Sequence, residues 1–237
     1  MRLLVATTNP GKLREIRSIL TANGLELIAL TDLAPITEPE ETGETFAENA
    51  RLKACYYAAQ SGLRTVAEDS GLVIDALDGE PGVRSARFLR ADASYPERFT
   101  AIFAQLAARP ERPRTARFVC AVAVADGDRI VFETTGKVEG LIADAPSGTG
   151  GFGYDPIFYY PAYGTTLAEV TEEAKLAVAH RGQAFRALAN WLGLQNPEPR
   201  TTTNHQPPTS QPPSSHPSNH QPAKAPHRQP SDRTAKL

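Results

Sequence analysis

The stretch Arg2-Leu-Leu-Val-Ala-Thr-Thr-Asn-Pro-Gly-Lys-Leu-Arg-Glu-Ile-Arg-Ser-Ile-Leu20 decides the fold class. Arg2–Ala6 reads as a short buried strand, apolar without alternation. After the polar turn Thr7-Thr8-Asn9, a helix is expected over Lys12–Ala22, with Leu13, Ile16, Ile19 and Leu20 on one face. A second strand, Leu25–Leu30, follows directly. Strand, turn, helix and strand in succession form the unit of an α/β sheet.

The pattern continues outward from this unit. Thr45-Phe-Ala-Glu48 is a capping box, because Thr at the cap and Glu three residues on can satisfy each other's backbone N–H groups; it opens a helix running to about Gln60. Strands are expected at Thr65–Glu68 and Leu72–Ala76, on either side of Asp69-Ser70-Gly71. A helix is expected over Pro96–Ala108. Ala116–Ala125 and Arg129–Thr134 read as a hairpin around Asp126-Gly127-Asp128. Thr171–Leu194 reads as helical, broken near Gly182. The hairpin is antiparallel, so the sheet should be mixed.

Composition bounds the rest. The 237 residues are 41% apolar, enough for one sizeable domain or two tightly joined lobes. Residues 196–237 hold half of the prolines and every histidine except His180. Such a segment buries too little apolar surface to offset its ordering entropy, so it reads as a disordered tail, and residues 1–195 read as the folded unit. A metal-binding or partner-binding tail is the alternative use, although its histidines lack a regular ligand spacing. The formal net charge of −2 argues against a broad basic surface for nucleic acid, and Lys224, Arg228, Arg233 and Lys236 are too sparse to make one. No run approaches the roughly 20 apolar residues of a membrane helix. The apolar start is too short for a signal peptide. Cys55 and Cys120 lie far apart in apolar patterns, which suits a reducing compartment. The expectation is a cytoplasmic protein.

Four clusters could carry chemistry. Thr7, Thr8, Asn9, Pro10, Gly11 and Lys12 place hydroxyls, backbone N–H groups and an ammonium where a strand turns into a helix, a place that favours phosphate. They do not make a Walker A loop, since no glycine opens the turn and Leu13 follows the lysine. Glu38, Glu40 and Glu41, with Asp69 at an expected strand end, could supply an oxygen-rich metal site and a base for water. In Ser147-Gly-Thr-Gly-Gly-Phe-Gly-Tyr-Asp-Pro156, four glycines in six residues allow close backbone approach, Phe152 and Tyr154 could stack on a base, and Asp155 could read its edge. Lys175, His180 and Arg181 suit a purine carbonyl or a phosphate.

These clusters, with Glu48-Asn-Ala50, Lys53-Ala54, Gly82 and Ser85-Ala-Arg-Phe88, resemble the inosine/xanthosine triphosphate pyrophosphatase family over nearly the whole folded part. The resemblance implies an elongated mixed sheet flanked by helices, in two lobes with the cleft between them, and a homodimer. It implies hydrolysis of deaminated purine nucleoside triphosphates to monophosphate and pyrophosphate with Mg²⁺. Asp69 would be proton acceptor and metal ligand, completed by Glu40 or Glu41. Thr7 through Lys12 and Lys53 would hold the phosphates, and Ser70 would contact the substrate. Phe152, Gly153, Tyr154 and Asp155 would hold the base, with Lys175, His180 and Arg181 completing its pocket. Ala179 departs from the family, which often has serine there. Two rivals remain at this stage, a pyrophosphatase for modified pyrimidine nucleotides and a nucleotide sensor without turnover.

Overall fold

The structure, a computed structural model, describes residues 1–21 and 24–194. The expected tail, 196–237, lies outside the described residues. The strands are β1 (Arg2–Ala6), β2 (Glu26–Ala29), β3 (Thr65–Ile74), β4 (Thr115–Asp126), β5 (Arg129–Ile142), β6 (Phe158–Tyr160) and β7 (Thr165–Thr166), in one mixed sheet ordered β2-β1-β3-β4-β5-β6-β7. β1 runs parallel to β2 and β3, and the remaining pairs are antiparallel. The helices are α1 (Pro10–Ile19), α2 (Phe46–Ser61), α3 (Tyr95–Ala107), α4 (Glu172–Val178) and α5 (His180–Trp191). No helix among the described residues is long and apolar enough to cross a membrane.

Side-chain alternation explains the layering. In β1, Leu3 and Val5 pack with Ile16, Ile19 and Leu20 at α1 and with Phe185 and Leu188 of α5, while Leu4 and Ala6 face α2. β4 repeats the pattern, with Cys120, Val122 and Val124 on the α5 face and Ala121, Ala123 and Ala125 beneath Ala50, Ala54 and Ala58 of α2. Alanines on both surfaces let α2 lie close to the sheet. A third core joins Leu72, Ile74, Phe118, Val138 and Phe158 to Phe99, Ile102 and Leu106 of α3. β3 therefore contributes Val66 and Ala67 to one end of the molecule and Leu72 and Ile74 to the other. The expected two lobes share their middle strands, and Glu68–Gly71 lie between them.

Several boundaries differ from the sequence reading. Asp69-Ser70-Gly71 is not a loop between two strands. β3 is continuous, paired with β4 from Thr65↔Ala125 to Ile74↔Ala116, and this long ladder overrides the turn-like composition. β5 runs to Ile142 rather than Thr134, because Gly136 and Gly140 accept close neighbours: a Cβ on Gly136 would lie 2.1 Å from the His180 carbonyl oxygen. The last helical region breaks at Ala179, which is extended (φ −66°, ψ 152°), and Gly182 lies inside α5. α1 starts at Pro10, two residues before the expected Lys12, with Asn9 as its cap.

β1 pairs with β3 only through Leu4–Ala6 and Thr65–Ala67, so from Glu68 to Gly71 that edge of β3 has no strand partner, before the Glu80–Ser85 segment meets it at Leu72, Val73 and Ile74. α1 and α2 lie on opposite faces of the sheet, carrying the chain first to one side of β1 and then to the other. The carboxyl end of β1 is thus a topological switch point, the place in α/β sheets where ligands gather.

Candidate active site

Two adjoining cavities meet at this switch point. The larger, about 610 Å³, is lined by Thr7, Thr8, Asn9 and Lys12 from the β1–α1 turn, by Glu38, Glu40 and Glu41 from the acidic loop, and by Lys53, Glu68, Asp69 and Arg87. The smaller, about 80 Å³, is lined by Phe152, Gly153, Tyr154, Asp155, Lys175, His180 and Arg181. Asn9, Lys12, Ser70 and Ala86 line both.

Asn9 orders the turn. Its Oδ1 accepts from the backbone N–H groups of Gly11 (2.9 Å) and Lys12 (3.1 Å), and its carbonyl accepts from Leu13. With Pro10 lacking an N–H, the first-turn donors of α1 are already satisfied. An anion here would meet the helix dipole, the Thr7 and Thr8 hydroxyls and the Lys12 ammonium rather than bare N–H groups. Lys12 pairs with Glu68 at 2.7 Å. Gly11 serves by its smallness, since a Cβ there would lie 2.9 Å from the Phe152 ring.

Asp69 is buried at the open edge of β3. Asn49 of α2 donates to its Oδ2 (3.1 Å) and accepts at Oδ1 from the Gly43 N–H (2.8 Å), tying the acidic loop to β3. Lys53 lies between Glu41 (2.5 Å) and Asp69 (3.5 Å). Burial raises the Asp69 pKa against the pull of Lys53. Burial also works against the Lys53 ammonium, but Asp69, Glu68 and Glu41 outweigh it and hold its pKa above the usual value. Glu41 is lowered, because Lys53 and Arg87 overcome its desolvation. Glu40 is exposed and lines the rim.

The second cavity rests on a buried, charge-balanced network. Glu15 of α1, 2% exposed, pairs with Lys175 (2.8 Å) and Arg181 (2.7 Å). Lys175 also pairs with Asp155 (2.5 Å), and Arg181 donates to Ser70 Oγ (2.8 Å). Three acids, Glu15, Asp155 and Glu68, face three bases, Lys175, Arg181 and Lys12. Removing any one would strand a buried charge. Lys175 and Arg181 lie 4.5 and 5.5 Å from the centre of the Phe152 ring. His180 stacks on Phe118, its Nδ1 has no hydrogen-bond partner, and burial with the nearby Arg181 charge drives its pKa well down, so the ring is neutral.

Two expected roles change. Asp155 does not present a base-reading edge: it is turned inward to Lys175, and its Oδ2 accepts from the Phe152 N–H. Tyr154 offers no free face for stacking, because its ring packs edge-on against Tyr95 and its hydroxyl donates to the Ser85 carbonyl. The sequence reading missed Glu15 and gave Asn49 no role. Glu15 was detectable as a carboxylate four residues before Ile19, on the apolar side of α1.

A phosphate-sized basic and acidic chamber opening into an aromatic one describes a nucleotide-handling α/β protein. The Ham1 family profile matches residues 3–191, and the chain belongs to the Ham1 family. It is 47% identical over 199 residues to a dITP/XTP pyrophosphatase of Geobacter sulfurreducens, covering 83% of this chain and 99% of that one. It is 49% identical over 193 residues to a dITP/XTP pyrophosphatase of Symbiobacterium thermophilum, covering 81% and 93%. Among solved structures, a HAM1 protein from Coxiella burnetii superposes with a TM-score of 0.77 at 38% identity, covering 81% of this chain and 98% of that one.

Proposed function

We propose that this chain hydrolyses deaminated purine nucleoside triphosphates (inosine, deoxyinosine and xanthosine triphosphate) to the monophosphate and pyrophosphate, clearing them from the pool used for DNA and RNA. The observation that carries this is the continuity of the two cavities through Asn9, Lys12 and Ser70, with Asp69 in the larger one, next in sequence to the shared Ser70. A base in the smaller chamber then puts its α-phosphate beside Asp69.

The phosphate chamber sets three cations, Lys12, Lys53 and Arg87, against five carboxylates. A triphosphate needs further positive charge to enter it. Glu41 and Asp69 offer only oxygen ligands on either side of Lys53, and no group of three or more such ligands cages a metal among the described residues. A few carboxylates supplemented by substrate phosphates and water suit Mg²⁺. Of the two glutamates, Glu41 is the one turned to Lys53, and we assign it with Asp69 to the ion. When bound, Mg²⁺ supplies Lewis-acid charge to the phosphate oxygens. Asp69, held by Asn49, accepts the proton of the attacking water. Lys12 and Lys53 neutralise the charge that develops on the phosphates. Phe152 stacks on the base. His180 and Arg181, which line the chamber, would favour as donors a 6-oxo group over the amino group of adenine.

We further propose residues 1–195 as the catalytic unit, acting as a cytoplasmic homodimer without nucleic-acid or membrane partners. The test of function is a panel of inosine, deoxyinosine, xanthosine, adenosine and guanosine triphosphates with Mg²⁺, assaying pyrophosphate and orthophosphate separately. Pyrophosphate released mainly from the inosine and xanthosine substrates is expected. No release from folded protein refutes the reading.

A further inference from the structure

Arg87, which belongs to the Ser85-Ala-Arg-Phe88 motif, is the one cation of the phosphate chamber given no role above. It ends the 3₁₀ segment Gly82–Arg87, on the wall formed by the α3-side lobe. That segment is anchored to β3. Ser85 Oγ accepts from the Leu72 N–H (2.9 Å) and donates to the Gly82 carbonyl (2.6 Å), over Gly71, where a Cβ would lie 2.3 Å from it. The Tyr154 hydroxyl donates to the Ser85 carbonyl (2.8 Å) from the other side. The guanidinium is therefore carried on a fixed base. It reaches across the chamber to Glu41, with Nη1 2.8 Å from Oε2.

Two further facts give Arg87 a direction. It lines the phosphate chamber and not the base chamber, in company with Glu38, Glu40, Glu41 and Lys53, whereas Asn9, Lys12, Ser70 and Ala86 line both. It therefore stands on the phosphate side of the site, with the acidic loop, and not beside the base. Its partner Glu41 is also the carboxylate assigned to the metal. Once Glu41 turns to a cation, the Arg87 fork faces the chamber with donors whose geometry matches phosphate. By contrast, the neighbouring Arg84 and Arg90 pair with the surface acids Glu80 and Glu97 and line neither chamber.

We propose that Arg87 is a substrate ligand for the β,γ end of the triphosphate and neutralises the departing pyrophosphate; this rests on the hydrolytic reading above. In the reaction the water oxygen bonds to the α-phosphorus as the bond from that phosphorus to the bridging oxygen breaks. The electron pair leaves with pyrophosphate, and the water proton passes to Asp69. The guanidinium meets the charge gathering on the leaving group, a role distinct from holding the base or the α-phosphate.

The test compares the full-length protein with Arg87→Ala and Arg87→Lys, with Mg²⁺. Inosine triphosphate turnover is measured together with product inhibition by pyrophosphate and, separately, by inosine monophosphate. Arg87→Ala should weaken pyrophosphate inhibition and kcat/KM about tenfold or more, as loss of a charge-assisted hydrogen bond does, and leave monophosphate inhibition within about twofold. Arg87→Lys should recover part of the loss. Equal changes in both inhibitions, or no change in either, with unaltered thermal unfolding, overturn the proposal. If the wild type releases no pyrophosphate, the hydrolytic reading fails first. Pyrophosphate-dependent protection against heat, present in the wild type and lost in Arg87→Ala, then still separates phosphate binding by Arg87 from its absence.

Discussion

At the residue scale, Asp69 shows how a carboxylate can be kept ready in a crowded site. Burial raises its pKa, Lys53 opposes this, and the Asn49 N–H fixes one oxygen so that the other faces the chamber. Asp69→Asn preserves shape and an acceptor for Asn49, so thermal unfolding should be unchanged. Turnover should fall by about 10²–10⁴-fold, the usual worth of a general base. Near-normal pyrophosphate release by this variant would remove Asp69 from the role. The sequence was legible here in part. Thr7, Thr8, Asn9, Lys12, Lys53, Asp69, Phe152, Lys175, His180 and Arg181 all line the two chambers, whereas Pro10 and Gly11 of the turn line neither. The ambiguity between Glu40 and Glu41 was not resolvable from adjacent identical residues, since which one turns inward depends on Lys53 and Arg87 from other elements. The inward turn of Asp155 was not legible for a similar reason: a carboxylate's orientation is set by its counter-charge, here Lys175, twenty residues on.

At the element scale, local chemistry was readable wherever the signal was short-range. The Thr45 capping box opens α2 as expected, with Glu48 N–H bonded to Thr45 Oγ1 and the Glu48 carboxylate accepting from the Thr45 N–H. Asp126-Gly127-Asp128 makes the β4–β5 turn, with Gly127 at φ 65°. The second half of β5 and the short β6 and β7 were not legible, because glycine-bearing or very short strands owe their state to neighbours distant in sequence. Two variants test this layer. Ala179 is the cap of α5 and makes no side-chain cap bond. Ala179→Ser should add about 0.5–1 kcal/mol of stability by giving a first-turn N–H an acceptor, read as a rise of a few degrees in Tm. A fall would mean that the buried site has no room for the hydroxyl. Gly136→Ala puts a Cβ against the His180 carbonyl and the Ala184 N–H. It should cost about 1–3 kcal/mol, the range for overpacking, and raise KM by displacing His180 and Arg181. An unchanged melting curve would show that α5 does not need that contact.

At the scale of the whole molecule, stability should depend on pH through His180. Its folded-state pKa lies well below the unfolded value of 6.5, from burial and then Arg181. The unfolded chain therefore takes up a proton below about pH 6.5 that the folded chain refuses. The stabilising contribution of the neutral ring is complete above that pH and is lost as pH falls toward the folded pKa, by up to about 1.4 kcal/mol per pH unit. Urea unfolding at pH 7, 6 and 5 should show the wild type losing stability faster than His180→Gln, the comparison cancelling most carboxylate contributions. Parallel losses would refute this.

The sharing of β3 and β4 between the two lobes has a mechanical consequence. Domains joined by a linker melt separately and swing freely. Here each wall of the cleft is built on the same ladder, Thr65↔Ala125 through Ile74↔Ala116, so neither wall can come apart without breaking the other's backbone pairing. Residues 1–194 should lose their structure in a single step. Anything gripping the strand at Asp69 is then a rivet through both plates, and its holding force is felt at the far edge of each.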